Sequence, residues 1–582
     1  MPFTHISIDN FRTFGANKQR AKFDIAPVTI LTGTNSSGKS SLIKALMLLN
    51  ENSMMEKFPF VLDLRGKQHL LSNFGNIQSK FKQNRNAITF EIDYSYIYNK
   101  KQIKNRQTHF YKIKLEYIPT KKGINENIYL NRLEIFARDK SLIFAMRNLV
   151  RNKKNRDIYF NFLYFLNLFL ADDNFKHFDF DKLQHNFKQD KNECMFHIKF
   201  NIPKRLASNK YFDLFPLKDS VKYEYDLNNL MKSILPKNFV LDRNDRYFNE
   251  AFNESRQNLY CQLPFLDNRN NIMYAGNYIF NDLLAKYGDA ATIEKQIQSD
   301  IDLFSFSKRL NKAIFKKIFI TTDLKDFLGA TIGYTKSIVQ KFITEMEHEV
   351  YIPVLRGAVS HVFKDNTLIG DAIFQLSKIM SENKQITSTI KKWFKEFGLS
   401  EKFEINRIAG YGSEILFFDE NNIKTSLKDM GFGYSQLLPI IINIFAKQIY
   451  SSASDKKNRI QDSPDYTFLI EEPESHLHPE FQSKLADMFL DAVRTSNNTF
   501  IIETHSEYLI RKFQYLIAAK QMDTNELDVY YLGKDPTNKD YIKKIELDSN
   551  GMIIKDFGEG FFDEAANLIT HLWDLPRGNK ND

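Results

Sequence analysis

The chain is poor in cysteine, in tryptophan and in long apolar runs. Among 582 residues there are two Trp and two Cys, and Cys194 and Cys261 stand far apart. That excludes a disulfide framework and a cysteine-rich zinc site, and it suits a reducing, cytoplasmic compartment. The most apolar stretch, Ile158 to Ala171 (IYFNFLYFLNLFLA), is broken by Asn161 and Asn167. Spanning a bilayer takes about 20 apolar residues, so this stretch reads as a buried helix and no membrane partner is expected. A strand-like segment begins almost at once, which argues against a signal peptide. Heptads are not sustained, so a long coiled-coil arm is not expected, and no repeat recurs at a fixed period.

What the sequence has in excess is phenylalanine and positive charge. The 52 Phe and 27 Tyr lie largely among Asn and Lys, which suits AT-rich coding better than stacking chemistry. The net charge of +10 is compatible with a polyanionic partner, but it is spread along the chain. Its densest cluster, Arg147 to Arg156 (RNLVRNKKNR), reads as a solvated loop or helix end, with a nucleic-acid contact as the other reading. His177, His185 and His197 read as ordinary surface or core residues.

A chain this long is expected to hold about two or three domains. Strand-like alternation opens it at Ile6–Phe11, Ala21–Ile25 and Val28–Leu31. A middle region, 81–410, begins with strand-like runs at Ile88–Ile97, Phe110–Ile118 and Ile128–Phe136, and from about 155 helical patterns dominate. Alternation returns at Glu414–Phe418, followed by a helix from Ser435 and strands at Thr467–Ile470 and Thr499–Ile502. The simplest architecture is an α/β nucleotide-binding domain in two lobes, 1–80 and 411–520. A β-then-helical insert separates them, and a tail covers 521–582.

Residues 33 to 40, GTNSSGKS, match the pattern G-x-x-x-x-G-K-S, with an apolar strand before them and a helix after. Such a loop turns its backbone N–H groups on the phosphates of ATP, and the helix N-terminus adds its dipole. Gly33, Thr34, Asn35, Ser36, Ser37, Gly38, Lys39, Ser40 and Ser41 are the candidate nucleotide-binding residues. Lys39 should reach the β- and γ-phosphates and the Ser40 hydroxyl should ligate Mg²⁺. A loop of this kind needs an acidic partner, and the strand Thr467–Ile470 ends in Glu471-Glu472. Glu471 is the second candidate for holding Mg²⁺, and Glu472 is the candidate general base for the attacking water. A third apolar strand delivers His505, in Glu503-Thr504-His505-Ser506, to a C-terminal strand end of the kind that surrounds ligands in parallel sheets. There the ring could hydrogen-bond the γ-phosphate or the attacking water.

Taken together, GTNSSGKS, LIEEPESHLHP and ETHS, with MGFGYSQLLPI before the second, resemble the ABC-type ATPases of the RecF, SMC and overcoming-lysogenization-defect class. Within that class the chain is similar to bacterial stand-alone ATPases with a large insert and a tail near a G-x-F-F-D-E segment, here Gly560–Glu564, such as the Septu ATPase. The likeness covers 1–80 and 410–515; in the insert it is limited to YIPVLRG around Arg356.

The resemblance implies an ABC-type P-loop ATPase head in which two copies sandwich two ATP molecules. Each site would be completed by the partner's signature turn, here Gly431 to Gln436, with Gly431, Gly433 and Ser435 as candidate contacts. Gly431 falls where the usual L-S-G-G-Q serine is expected and Ser435 comes four residues later, so which of them meets phosphate stays open. The dimer-interface loop would be Glu474 to His478, whose Glu474, His476 and His478 admit a metal reading as the lesser alternative. Arg12 could contact nucleotide, and Gln68 is a candidate for the glutamine that couples the site to the insert.

The 77 residues after His505 hold no D-x-D pair, and the insert shows no nuclease core, so a built-in nuclease is not expected. The leading expectation is an ATP-gated, homodimerising switch in prokaryotic antiviral defence that controls a separate effector protein. The other is a RecF-like ATPase that clamps nucleic acid in DNA repair or maintenance. A transporter ATPase subunit is the third reading, which the large insert and the lack of spans disfavour.

Overall fold

The computed structural model describes residues 3–161, 195–201 and 323–571, with breaks of which the longer are 80–86, 98–107, 120–126, 148–154, 355–361, 454–465 and 558–566. Strands β1 (Phe3–Asp9), β2 (Ala21–Asp24) and β3 (Val28–Gly33) lead into helix α1 (Lys39–Ser53). Then come β4 (Val61–Asp63) and the single turn α2 (Phe74–Ile77). A meander follows: β5 (Ile88–Ile97), β6 (Thr108–Ile118), β7 (Asn127–Ala137), β8 (Leu142–Arg147), β9 (Asn155–Asn161) and β10 (Met195–Asn201). Helix α3 (Asp323–Glu347) leads through β11 (Glu349–Ile352) to α4 (Leu368–Glu382) and α5 (Lys384–Glu396). A small sheet of β12 (Phe403–Ile408), β13 (Gly412–Phe418) and β14 (Lys424–Ser426) precedes α6 (Phe432–Ala453). The remainder is β15 (Thr467–Glu471), α7 (Pro479–Ser496), β16 (Thr499–Glu503), α8 (Glu507–Ala518), β17 (Leu527–Leu532) and β18 (Ile542–Ile545).

The centre is a six-stranded sheet in the order β11-β15-β16-β3-β17-β18, parallel except for β18. Parallel strands covered on both faces have to be apolar along their length. VTILTG and TFIIE satisfy this, with every residue of β3 and β16 buried. Strand alternation then sorts the side chains between two cores. Leu31, Leu469, Ile501 and Leu532 join α1, α3 and the antiparallel sheet, whereas Ile30, Phe468, Ile470, Phe500 and Ile502 pack under α4 to α8. Phe500 stacks on Phe468 with ring centroids 5.3 Å apart and meets Phe489 of α7 at 5.1 Å. Truncating Phe500 to Ala would cost about 3–5 kcal/mol.

The second sheet is antiparallel and nine-stranded, in the order β10-β9-β8-β7-β6-β5-β1-β2 with β4 on β7. Helix α3 ties it to α1. Asn50 Nδ2 on α1 donates to the Met346 carbonyl at 2.5 Å, and the Tyr94 hydroxyl of β5 donates to the Ile338 carbonyl at 2.8 Å. Both bonds lie in the buried interior, where an unmet polar group is costly, so they fix the helix against its neighbours.

Several expectations change. The run that begins at Ile158 enters as strand: β9 pairs antiparallel with both β8 and β10. A run this densely apolar carries no period that separates strand from helix, and here cross-strand pairing decides. Residues 162–171 of that run lie outside the described residues. The boundary at 80 cuts through a continuous sheet, because β5 pairs with β1 from Phe3↔Tyr94 to Asp9↔Thr89. Likewise β11 lies within the stretch read as insert and β17 within the stretch read as tail, yet both hydrogen-bond in the central sheet. Partners this distant leave no trace in local patterning. Gln68, His177, His185, Cys194, Cys261, Arg356 and Gly560–Glu564 also fall outside the described residues, as does most of the Arg147–Arg156 cluster. Among the described residues, no helix is long and apolar enough to cross a membrane.

Candidate active site

The loop 33–40 joins β3 to α1 at the C-terminal edge of the central sheet. Gly38 caps the helix at φ 96°, and a Cβ there would stand 2.1 Å from Thr13 Oγ1 and 2.6 Å from Tyr541 Oη. Both the backbone conformation and the space therefore demand glycine. The loop rests on β17 and the segment beyond it: Thr34 N donates to the Leu532 carbonyl at 3.3 Å, and the Tyr541 hydroxyl donates to the Ser37 carbonyl. Asn35 and Ser36 form an exposed crest, while Ser37 and Ser41 are buried. Lys39 is buried too, and its ammonium donates to the carbonyls of Gly33 (3.1 Å) and Thr34 (2.9 Å). Burial lowers its pKa, against the pull of Glu503, Glu472 and Glu474.

Strands β15 and β16 end beside this loop in matching carboxylates, with Glu471 paired in register with Glu503. The Ser40 hydroxyl donates to Glu503 Oε1 at 3.0 Å. The other oxygen, Oε2, is buried and has no hydrogen-bond partner among the described residues. Desolvation raises the Glu503 pKa to about 7, with Glu471 and Glu472 pushing the same way and Ser40 and Lys39 opposing. Glu471 Oε2 accepts a 2.9 Å bond from the Tyr351 hydroxyl of β11. Glu472 turns away from the strand at φ 42°, a region that side chains other than glycine seldom occupy and that clusters at functional sites. Its N–H donates to the Glu503 carbonyl at 2.7 Å, and Ser475 Oγ donates to its Oε2 at 3.0 Å.

His505 follows β16 with an exposed ring that feels both Lys39 and Glu472. Partial desolvation, then Lys39, lowers its pKa, and Glu472 opposes them. Its backbone N–H donates to Glu474 Oε1 at 2.6 Å, and Ser506 caps α8 by accepting from Leu509 N at 3.1 Å. Arg12, at φ 52°, and Lys44 of α1 complete the charge pattern: desolvation lowers the pKa of each, and Glu471 and Glu503 raise it.

The turn before α6 packs against the Glu474–His478 loop. Gly431 is exposed at φ 104°, and a Cβ added there would meet nothing within 4 Å, so a second molecule could reach it. Ser435 sits inside the first turn of α6 and is fully buried, which removes it from the candidates for an intermolecular contact. A Cβ on Gly433 would stand 2.6 Å from the His476 carbonyl, so the turn is pressed against the Glu474–His478 loop. Phe432 and His476 meet edge to face with centroids 4.6 Å apart. Glu474 Oε1 thus accepts from His505 while its Oε2 is buried without a partner among the described residues, and His476 packs on Phe432. Among the described residues, no group of three or more His, Cys, Asp or Glu could hold a metal ion by itself.

Chemically, the loop, Lys39 and the helix N-terminus form an anion cradle with a cluster of hard oxygens beside it. The Ser40 hydroxyl and the unpartnered Glu503 oxygen are donors suited to a small divalent cation that keeps part of its water shell. Glu503, Tyr351, Tyr541, Thr13 and Lys44 were not singled out from the sequence. Glu503 had a signal, because TFLIE and TFIIE are near-identical strands that end in the same residue.

A family model described as an AAA ATPase domain matches residues 1–510. The chain belongs to the AAA ATPase domain family. ATP binding comes with that membership, and the fold is the mixed α/β arrangement of such ATPases interrupted by inserted regions. No curated protein matches the chain. Solved structures that it is similar to include three Smc head domains. One, from Pyrococcus furiosus, has an extended coiled coil and is bound to the C-terminal domain of ScpA (12% identity, 98% of this chain and 100% of that one, TM-score 0.33). One from Pyrococcus yayanosii has a coiled coil and joint (12%, 95% and 98%, 0.35). The third is from Thermotoga maritima (9%, 94% and 100%, 0.31).

Proposed function

We propose that the chain is a Mg²⁺-dependent ATPase of ABC type. Two copies would close on ATP, and the engaged pair would act on nucleic acid in the manner of a RecF-like maintenance ATPase. The observation that carries this reading is the convergence of three strand ends. β3, β15 and β16 bring Lys39, Ser40, Glu471, Glu472, Glu503 and His505 to one edge of the central sheet. In this reading Lys39 leaves its loop carbonyls for the β- and γ-phosphates, while the N–H groups of residues 33–41 hold the phosphate oxygens. A bound Mg²⁺ would neutralise charge on those oxygens, with Ser40 and Glu471 as the residues that hold it. Glu472 accepts the proton of the attacking water and His505 hydrogen-bonds the γ-phosphate side. The exposed Gly431 turn, at the N-terminus of a long helix, is the surface offered to the partner's nucleotide, which supports closure in trans.

The test is phosphate release with Mg²⁺ and ATP from wild type and Glu472→Gln, with molar mass measured by light scattering in both. Wild type should turn over. The variant should bind ATP, fail to hydrolyse it and accumulate as a dimer; a variant that hydrolyses at the wild-type rate sinks the catalytic assignment. For the partner, the net charge of +10 favours a polyanion. Duplex DNA binding that requires ATP and falls steeply with salt is expected. Capture of one separate effector protein, with no DNA affinity, would overturn the maintenance role and leave a defence switch.

A further inference from the structure

We propose that Glu503, the last residue of β16, completes the metal site: it positions the Ser40 hydroxyl and supplies the carboxylate that sets affinity for a divalent cation. The inference rests on the Mg²⁺–ATP reading of the loop and adds to it a residue outside the P-loop and the β15 end.

Four observations carry it. Ser40 spends its one proton on Glu503 Oε1 at 3.0 Å, which aims the hydroxyl lone pairs away from Glu503 and leaves them free to ligate. Glu503 is 6% exposed, and its Oε2 has no partner among the described residues. A buried carboxylate oxygen left unmet is costly; Glu349 and Glu474 keep such oxygens too, but that of Glu503 belongs to the carboxylate already bonded to the hydroxyl of the phosphate loop. Glu471, the residue that the sequence pattern nominates, already gives Oε2 to the Tyr351 hydroxyl. Finally, the parallel register sets Glu503 beside Glu471, so two carboxylates end neighbouring strands at the edge that carries the phosphate loop. A purely structural brace for Ser40 would need one oxygen and no charge, and glutamine would serve; the buried, half-used carboxylate is more than bracing requires. Outer partners that orient a metal ligand typically govern affinity about 10- to 100-fold.

The experiment uses the full chain with Mn²⁺ as the probe, read by electron paramagnetic resonance in the presence of a non-hydrolysable ATP analogue. Wild type, Glu503→Gln and Ser40→Ala are compared. A fluorescent ATP analogue in EDTA measures metal-free nucleotide binding and reports that each variant is folded. Glu503→Gln keeps an acceptor for Ser40 but loses the charge, so Mn²⁺ affinity should fall by about 10- to 100-fold while metal-free nucleotide binding is retained. Wild-type Mn²⁺ affinity in Glu503→Gln, with loss in Ser40→Ala, overturns the role of Glu503 and leaves the site reading intact. Wild-type affinity in both variants overturns the metal site itself and the inference with it. Should Glu503→Gln fail to bind nucleotide in EDTA, Glu503→Asp decides. It keeps the charge but is one methylene short of Ser40, so weakened Mn²⁺ binding supports the role and unchanged binding refutes it.

Discussion

The Tyr351 hydroxyl donates a 2.9 Å hydrogen bond to Glu471 Oε2. This contact joins the stretch read as insert to the carboxylate that ends β15. Tyr351 lies in β11, opposite Leu469 of β15, and one residue separates β11 from the end of α3. Because α3 is itself bonded to α1 through Asn50, a displacement of α3 would be felt at both the carboxylate and the helix of the phosphate loop. Tyr351→Phe keeps the ring and removes one bond to a charged group, worth about 1.5–3 kcal/mol. Turnover should fall about tenfold and the Mg²⁺ concentration for half-maximal rate should rise, with melting temperature little changed. Phosphate release titrated with Mg²⁺ checks this; superimposable curves for variant and wild type would show the contact to be idle.

Gly38→Ala should abolish nucleotide binding and destabilise the fold together. The added methyl meets Thr13 Oγ1 at 2.1 Å and Tyr541 Oη at 2.6 Å, and φ 96° is unfavourable for any side chain. Strain of this kind costs about 1–3 kcal/mol, and relief requires Thr13, Tyr541 or the loop itself to shift. Thermal melting with and without ATP is the measurement: the variant should melt lower and gain nothing from ATP. A normal ATP-induced rise would show that the loop tolerates the methyl.

How far the sequence reached depends on how local each feature is. The strand-loop-helix at 28–53, and the runs TFLI and TFII, announce themselves because an apolar strand next to a glycine loop or an acidic pair is a short-range pattern. The residues brought together in the site, Lys39, Ser40, Glu471, Glu472 and His505, were legible for that reason. Tyr351, Thr13 and Tyr541 were not, since each acts through a contact that exists only after distant strands pair. Ser435 shows the opposite failure. The family resemblance placed it in a contact motif, but the direction in which a helical residue points is set by which face the helix buries, and Ser435 points inward. The helix read from Ile158 gives way to strand at 158–161 because a run this rich in aromatics fits either period.

Glu474 gives a pH-dependent prediction. Its Oε1 accepts the His505 N–H at 2.6 Å, and burial raises its pKa above the ordinary 4.5. A carboxyl whose folded pKa is raised favours folding while protonated, and that contribution is lost as pH climbs above the unfolded value. Glu474→Gln keeps an acceptor and never ionises. The variant should therefore gain melting temperature relative to wild type as pH rises above 4.5, and the difference should vanish at lower pH. Glu474→Ala should instead lose about 1–3 kcal/mol, because the His505 N–H is left unmet. Melting curves across this pH range decide it, and a wild-type minus Glu474→Gln difference that is flat with pH would refute the assignment.

Gly433→Ala separates nucleotide binding from association. Its methyl would stand 2.6 Å from the His476 carbonyl and 3.1 Å from Leu477 Cδ2, so the turn that carries Gly431 must lift off the Glu474–His478 loop. The phosphate loop stands on other elements, β3, β17 and Tyr541, and does not share this contact. In a Glu472→Gln background, where ATP is held without hydrolysis, Gly433→Ala should still bind a fluorescent ATP analogue but remain monomeric by light scattering. With the turn in the proposed contact surface, displacing it should cost about 2 kcal/mol, or some thirtyfold in the dimer dissociation constant. A Gly433→Ala chain that dimerises as tightly as its parent would mean that the turn lies outside the contact surface, and the closure in trans proposed for this ATPase would have to use another face.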